Sequence, residues 1–143
     1  MKVREVMTGN VFVMREDETV ANAASKMREL DVGVIPVTDG SRICGLITDR
    51  DITVRGVAGG KDPRQTRISE IMTQDICWKS EEATLEQATE ELEENKIRRL
   101  LVKDEADQLV GIISLGDLAV KGSSDLSEEA LEKISQPARP RRA

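Results

Sequence analysis

The chain has 143 residues, of which 38% are hydrophobic and 34% are charged, and its formal net charge is −6. These values predict a globular protein, and the negative charge argues against nucleic-acid binding, which needs clustered Lys and Arg. The sequence contains no histidine, which excludes Ser-His and Cys-His nucleophilic catalysis and most zinc sites, so we expect no catalytic residue and no metal ligand.

The first pattern along the chain is a short strand at residues 11–14, followed by a helix that begins near Val20. Two strands, residues 33–38 and 43–48, surround a polar Asp-Gly-Ser turn and predict a β-hairpin. A closing helix covers residues 49–57. The first helix has one apolar face, formed by Val20, Ala23, Ala24, Met27 and Leu30.

The same order returns after residues 59–67, a linker marked by glycines and a proline. A strand at residues 76–79 precedes a helix whose start, from Thr84 to Gln87, has the spacing of a capping box. The apolar face of this helix is formed by Leu85, Ala88 and Leu92, with Ile97 just beyond it. Strands at residues 99–103 and 109–114 and a closing helix at residues 115–121 complete the pattern.

These two patterns are copies of one unit, residues 3–58 and residues 68–122. VMT at residues 6–8 matches IMT 65 residues later, and GLIT at residues 45–48 matches GIIS 66 residues later. One inserted turn residue explains the change of offset, so the sequence predicts a duplicated fold. The tail, residues 123–143, departs from the pattern and is expected to contain one short helix at residues 125–135 and a disordered end.

The repeated motifs resemble those of the CBS-domain pair, also called the Bateman module. The resemblance rests on VMT and IMT, on the strand VGVIPVTD, and on the closing runs GLITDRDI and GIISLGDL. Both closing runs fit the family pattern Gly-hydrophobic-hydrophobic-Ser/Thr-x-x-Asp, and TDRDI is similar to the ending found in small stress- and hypoxia-response proteins. The resemblance implies an α+β fold in which tandem β-α-β-β-α repeats pack around a pseudo-twofold axis.

The resemblance also implies an adenosyl ligand such as AMP, ADP or ATP, which the family holds between its paired units. The aspartates, Asp51 and Asp117, would hold the ribose hydroxyls, and Thr48 and Ser114 would meet phosphate. A strand that passes directly into a helix offers free N–H groups to an anion, which makes this chemistry reasonable. A Thr-x-x-Asp or Ser-x-x-Asp sequence at a helix start is also an ordinary capping motif, and the two interpretations are compatible with each other.

Basic residues distinguish the two copies. The run NKIRRLLV resembles the NKIxRLPV run of nucleotide-sensing CBS modules, which makes Arg99 the first phosphate candidate and Arg98 the second. The first copy has no such arginine in this strand and offers Arg50 and Arg55 on its closing helix. The second copy departs from the family at Leu101, where proline is usual, and at Leu115-Gly116, which replaces Asp49-Arg50. Basic groups of one copy are therefore expected to complement the acid of the other.

Apolar residues near these motifs are candidates for the walls of an adenine pocket, although an ordinary core would contain the same residue types. The candidates in the first copy are Val11, Val13, Ile35 and Pro36, and those in the second are Ile76, Trp78 and Leu100.

Three functions remain open from the sequence. The first is an adenine-nucleotide sensor that acts through a homodimer on an unidentified partner protein. The second is a ligand-free dimerisation scaffold with the same fold. An enzyme is the least favoured, because histidine and a Walker-type phosphate loop are missing. No segment reaches the length of a membrane span, so we expect a stand-alone cytoplasmic protein, with Cys44 and Cys77 as thiols.

Overall fold

A computed structural model of the chain describes residues 1–121 and Ile134. The chain forms two compact units. The first unit is Val11–Ile76, and the second unit combines Met1–Asn10 with the chain from Cys77 onward. In chain order, the strands are β1 (Thr8–Gly9), β2 (Met14–Arg15), β3 (Val34–Thr38), β4 (Ile43–Thr48), β5 (Trp78–Ser80), β6 (Arg99–Lys103) and β7 (Leu109–Ser114). The α-helices are α1 (Val20–Leu30), α2 (Asp49–Asp51, continued by a π-helix at Ile52–Val57), α3 (Leu85–Asn95) and α4 (Leu115–Lys121), and 3₁₀-helices cover Val3–Glu5 and Ile68–Glu70.

The first unit has a three-stranded sheet in the order β2-β3-β4. Strand β2 runs parallel to β3, and β3 and β4 form an antiparallel hairpin. Helix α1 begins at Thr19, whose hydroxyl accepts a hydrogen bond from Asn22 N at 3.1 Å. The core of this unit is formed by Met14, Val20, Ala23, Met27, Ile35, Val37, Ile47, Ile68, Ile71 and Met72.

The second unit has a four-stranded sheet in the order β1-β7-β6-β5. Strand β5 is parallel to β6, and β7 is antiparallel to both β6 and β1. The predicted capping box is confirmed, because Gln87 N donates to Thr84 Oγ1 at 3.1 Å and Thr84 N donates to Gln87 Oε1 at 3.0 Å. The core is formed by Val3, Val6, Ala83, Leu85, Ala88, Leu92, Leu100, Val102, Ile113, Leu115 and Leu118.

The opening segment of each sequence copy belongs to the unit built mainly from the other copy. Val3 and Val6 are completely buried in the second unit, and Val3 N donates to Ala83 O at 2.8 Å. In the same way, Ile71 and Met72 are buried in the first unit. The ranges 3–58 and 68–122 therefore describe the duplication in the sequence. In the structure, the first few residues of each copy belong to the compact unit formed mainly by the other copy.

A glycine in each hairpin permits this exchange. Thr73 forms an isolated antiparallel β-bridge with Leu46, and Thr8 is paired with Ile112 at the corresponding position of the second unit. A Cβ atom on Gly45 would lie 2.7 Å from Thr73 O, and one on Gly111 would lie 2.8 Å from Thr8 O. These distances are shorter than real Cβ contacts, so the glycine of each closing motif leaves room for the opening segment.

The α+β prediction is confirmed, and so are the bounds of β4, β6, β7 and α4. The first strand of each copy was placed too early, since pairing begins only at Met14↔Val37 and at Trp78↔Leu101. Closing-helix residues 49–57 are helical as predicted, but the second part is a π-helix.

The predicted apolar face of α1 is wrong for Ala24 and Leu30, which are exposed; Leu30 is 42% exposed near the helix end. The predicted tail helix at residues 125–135 lies outside the described residues, apart from Ile134, which is helical and half-buried against the second-unit core. Among the helices that the structure describes, none combines the length and the apolar composition that crossing a membrane requires.

Candidate functional site

The closing motif of the first copy is a reciprocal cap. Thr48 Oγ1 accepts a hydrogen bond from Asp51 N at 3.0 Å, and Thr48 N donates to Asp51 Oδ2 at 3.1 Å. Both residues are buried, each being 7% exposed. The capping role that the sequence suggested for this pair is thus confirmed, because the two bonds satisfy backbone N–H groups at the helix start.

Asp51 has further partners that the sequence analysis missed. Thr73 Oγ1 donates to both carboxylate oxygens, at 3.0 Å to Oδ1 and 3.1 Å to Oδ2. Arg55 Nε lies 4.0 Å from Asp51 Oδ1, and Arg55 Nη1 donates to Met72 O at 3.1 Å. The buried carboxylate is therefore engaged by its own helix and by the opening segment of the second copy. The repeated threonine of VMT and IMT was the signal for Thr73.

The closing motif of the second copy makes the same cap with fewer further contacts. Asp117 N donates to Ser114 Oγ at 3.1 Å, and Ser114 N donates to Asp117 Oδ2 at 2.9 Å. Both residues are half-buried. Within residues 1–121, no hydroxyl or cation bonds Asp117 Oδ1.

Two arginines lie beside Ser114 and Asp117. Arg99 is paired with Ser114 in the β6–β7 register, and Arg98 O accepts a hydrogen bond from Leu115 N at 2.9 Å. Arg98 is exposed and Arg99 is half-buried. Neither forms an ion pair with any residue in the described part of the chain. The β6–β7 pairing thus places the backbone of Arg98 and Arg99 next to that of Ser114 and Leu115 within one unit.

The first copy has no positive charge at the corresponding positions. Val34 is paired with Thr48, and Gly33 O accepts a hydrogen bond from Asp49 N at 3.0 Å. A Cβ atom on Gly33 would lie 2.9 Å from Asp49 Oδ2, so a larger residue would displace this carboxylate. Arg50 is exposed on the closing helix. The two closing motifs therefore share a backbone arrangement and differ in charge.

Two of the adenine-wall candidates lie deep in the cores. Ile35 and Leu100 are each 1% exposed and pack in the core of the first and the second unit, respectively. Pro36 is also buried, in the first unit. The buried positions of Ile35 and Leu100 match those of ordinary core residues.

The remaining adenine-wall candidates are half-buried. Val11 and Val13 precede β2, in the first unit. Ile76 also belongs to the first unit, whereas Trp78 begins β5 in the second. The candidates taken from the second sequence copy are therefore divided between the units.

Neither cysteine forms a disulfide. Cys44 Sγ lies 3.6 Å from Glu16 Oε2 and 3.5 Å from Val37 O. Burial raises the pKa of the Cys44 thiol, and the neighbouring Glu16 carboxylate raises it further. The described residues contain no group of three or more His, Cys, Asp or Glu side chains that could hold a metal ion.

The sequence profile of the CBS domain matches the chain twice, at residues 3–55 and 68–122. The chain belongs to the CBS domain family. The match in two copies confirms the duplication and the family resemblance drawn from the motifs.

Two curated relatives are similar over most of their length. CBS domain-containing protein YhcV of Bacillus subtilis is 40% identical over 134 residues, which cover 93% of this chain and 94% of that protein. Hypoxic response protein 1 of Mycobacterium tuberculosis is 36% identical over 117 residues, which cover 81% of each chain. The chain is thus similar to whole CBS proteins, and the likeness extends beyond the repeated motifs alone.

Solved structures show the same fold. Hypoxic Response Protein I, solved with two coordinated zinc ions, has a TM-score of 0.72 and 34% identity, with 85% of this chain and 98% of that chain covered. The CBS domain pair of protein MJ0100, solved with 5-methylthioadenosine and S-adenosyl-L-methionine, has a TM-score of 0.73 and 20% identity, with 84% and 98% covered. The second likeness concerns the fold alone.

Proposed function

We propose that this CBS protein is a regulatory module that binds an adenosyl ligand of the AMP, ADP or ATP type and acts through a homodimer on a partner protein. The observation that carries the proposal is the pair Arg98 and Arg99, without ion-pair partners in the described part of the chain, beside Ser114 and Asp117. We also keep the expectation that it acts in the cytoplasm.

The chemistry of this group suits a ribose phosphate. Asp117 Oδ1 can accept hydrogen bonds from ribose hydroxyls, each charge-assisted bond contributing about 1.5–3 kcal/mol. Ser114 Oγ accepts from Asp117 N, and its O–H, which has no acceptor within residues 1–121, can donate to phosphate. The guanidinium of Arg99 offers a planar fork that matches phosphate oxygens. The second unit therefore carries an acceptor for the ribose and two donors for the phosphate.

The likeness to MJ0100 supports this proposal only in showing that a protein of this fold accommodates adenosyl compounds. The residues of this chain supply the rest. The corresponding ligand candidates of the first copy are Thr48, Asp51 and Arg50, and the candidates for adenine walls are the half-buried residues Val11, Val13, Ile76 and Trp78 and the buried Pro36.

Titration calorimetry with AMP, ADP, ATP, adenosine and S-adenosylmethionine tests the proposal. We expect Asp117→Asn to weaken every ligand that carries a ribose diol by roughly tenfold or more, the equivalent of one charge-assisted bond. Arg99→Gln should weaken ATP by a similar factor and adenosine hardly at all, because only the phosphate contact is removed. Arg64→Gln, which removes an exposed linker arginine, is the matched control. No measurable binding of any ligand to the wild type would refute the sensor.

The ligand-free scaffold remains the second candidate, because Asp51 and Asp117 both cap their own helices. It predicts that replacing either aspartate lowers stability while no ligand affinity changes, since none exists. The same calorimetry therefore separates the two functions.

A further inference from the structure

We propose that Thr73 closes the first copy's site by occupying the carboxylate edge of Asp51 that a ribose would use. This inference rests on the proposed function, in which each aspartate is a ribose acceptor. It predicts that an autoinhibitory contact blocks Asp51 in the first copy and that Asp117 in the second copy is accessible to a ligand.

The geometry of the threonine hydroxyl is the first support. Thr73 Oγ1 lies 3.0 Å from Asp51 Oδ1 and 3.1 Å from Oδ2, so the hydroxyl bridges the two oxygens. A vicinal diol that donates one hydrogen bond to each oxygen would use this same edge. Thr73 thus stands where a ribose would have to bind.

The rest of the Asp51 carboxylate is also engaged. Oδ2 accepts a hydrogen bond from Thr48 N at 3.1 Å, and Arg55 Nε lies 4.0 Å from Oδ1. The residue is only 7% exposed. A ligand can therefore reach Asp51 only if the Thr73 hydroxyl gives way.

The second copy provides an internal comparison. Thr8 is the counterpart of Thr73, and its pairing with Ile112 corresponds to the bridge between Thr73 and Leu46. Thr8 is nevertheless exposed, and within the described residues its hydroxyl does not bond Asp117. The same backbone placement thus lets Thr73 bond Asp51 in the first copy, while Thr8 leaves Asp117 unbonded by its hydroxyl in the second.

The surroundings of Thr73 offer room for a small molecule. An open depression of about 440 Å³ is bordered by Arg55, Met72, Thr73, Gln74 and Asp75. Its volume lies within the range of small-molecule sites. Thr73 and Arg55 contact both this depression and Asp51, so loss of the hydroxyl would expose the carboxylate beside a guanidinium able to meet phosphate.

The decisive experiment uses the Asp117→Asn background, in which only the first copy retains its aspartate. We expect calorimetry to show ATP binding to Asp117→Asn weakened by roughly tenfold or more, and affinity regained after Thr73→Ala is added. Thr8→Ala in the same background is the matched control and should restore nothing. Thr73→Ser, which keeps the hydroxyl, should also restore nothing.

Two results of the calorimetry would overturn the inference. One is tight ATP binding by Asp117→Asn alone, which would show that Asp51 is already open. The other is no gain on Thr73→Ala in a variant that circular dichroism shows to be folded.

A stability measurement keeps this inference separate from the proposed function. Urea unfolding of Asp51→Asn, Thr73→Val and the double variant should give a coupling of roughly tenfold in the unfolding equilibrium constant, because the two residues share one hydrogen-bonded contact. If the wild type binds no adenosyl ligand, the proposed function fails. In that case a non-additive effect of the two substitutions on the unfolding equilibrium constant still supports the contact between Thr73 and Asp51, and additive effects overturn it.

Discussion

Cys44 shows how a residue's surroundings set its chemistry in this fold. The thiol is half-buried on β4, 3.6 Å from the Glu16 carboxylate. Burial disfavours the thiolate, and the negative charge of Glu16 disfavours it further, so the pKa of Cys44 is raised. Its contribution to stability is complete below the thiol pKa of the unfolded chain and is lost as the pH rises through the folded value. The fold thus makes Cys44 a poor nucleophile.

Alkylation by iodoacetamide checks this prediction in a Cys77→Ser variant, where Cys44 is the only thiol. At pH 8 we expect Cys44 to react much more slowly in the folded protein than in the same chain unfolded in urea. Glu16→Gln should speed the reaction, because it removes the carboxylate that raises the pKa. Equal rates in the folded and unfolded chains would show that the thiol is not protected.

The packing of each opening segment against the other copy's hairpin depends on a glycine in that hairpin. A side chain on Gly111 would meet Thr8 O at 2.8 Å, and one on Gly45 would meet Thr73 O at 2.7 Å. Both obstacles are backbone atoms, which cannot rotate away as a flexible side chain can. The pairing of β1 with β7, and the bridge between Leu46 and Thr73, should therefore tolerate no side chain at these glycines.

We expect Gly45→Ala and Gly111→Ala each to lower the free energy of unfolding by about 1–3 kcal/mol, the usual cost of overpacking. Gly9→Ala is the matched control, because its nearest contact would be 3.9 Å from Val110 O, an ordinary separation. Urea unfolding measures all three variants. A neutral Gly111→Ala beside a destabilising Gly9→Ala would contradict this account of the exchange.

The sequence predicted the strands of each hairpin better than it predicted which distant segments contact them. The bounds of β4, β6 and β7 were correct because apolar runs end at turn residues such as Asp39 and Asp104, whose side chains accept hydrogen bonds from nearby backbone N–H groups. Such signals are local. The bond from Thr73 to Asp51 spans 22 residues, and no local pattern indicates it.

At the site, the sequence led us to expect that basic groups of one copy complement the acid of the other, whereas the β6–β7 pairing places Arg98 and Arg99 next to the Ser114 end of their own copy. It did not show that Ile35 and Leu100 lie deep in the cores, because alternate strand residues face opposite sides and the sequence left the sides undetermined. Each opening segment packs against the other copy, and this long-range contact is not specified by the repeat alone.

For the whole molecule, the proposed homodimer accounts for an exposed apolar pair on the first copy's closing helix. Val54 is 49% exposed and Val57 is 72% exposed. We expect a second copy of the chain to cover them. Sedimentation velocity should show a dimer for the wild type at micromolar concentration and a larger monomer fraction for Val57→Glu, which places a charge in the interface. Arg64→Glu, a charge reversal in the exposed linker, is the control. A wild type that stays monomeric would contradict the dimer.

The central claim, that the second copy's open acid and its arginine pair bind an adenosyl ligand, is tested most directly by native mass spectrometry of the full chain with added ATP. The account predicts one ligand per chain in the wild type, and a clearly lower occupancy in Asp117→Asn at the same ATP concentration. A wild type that carries no ligand, or an Asp117→Asn variant that carries as much as the wild type, would contradict it.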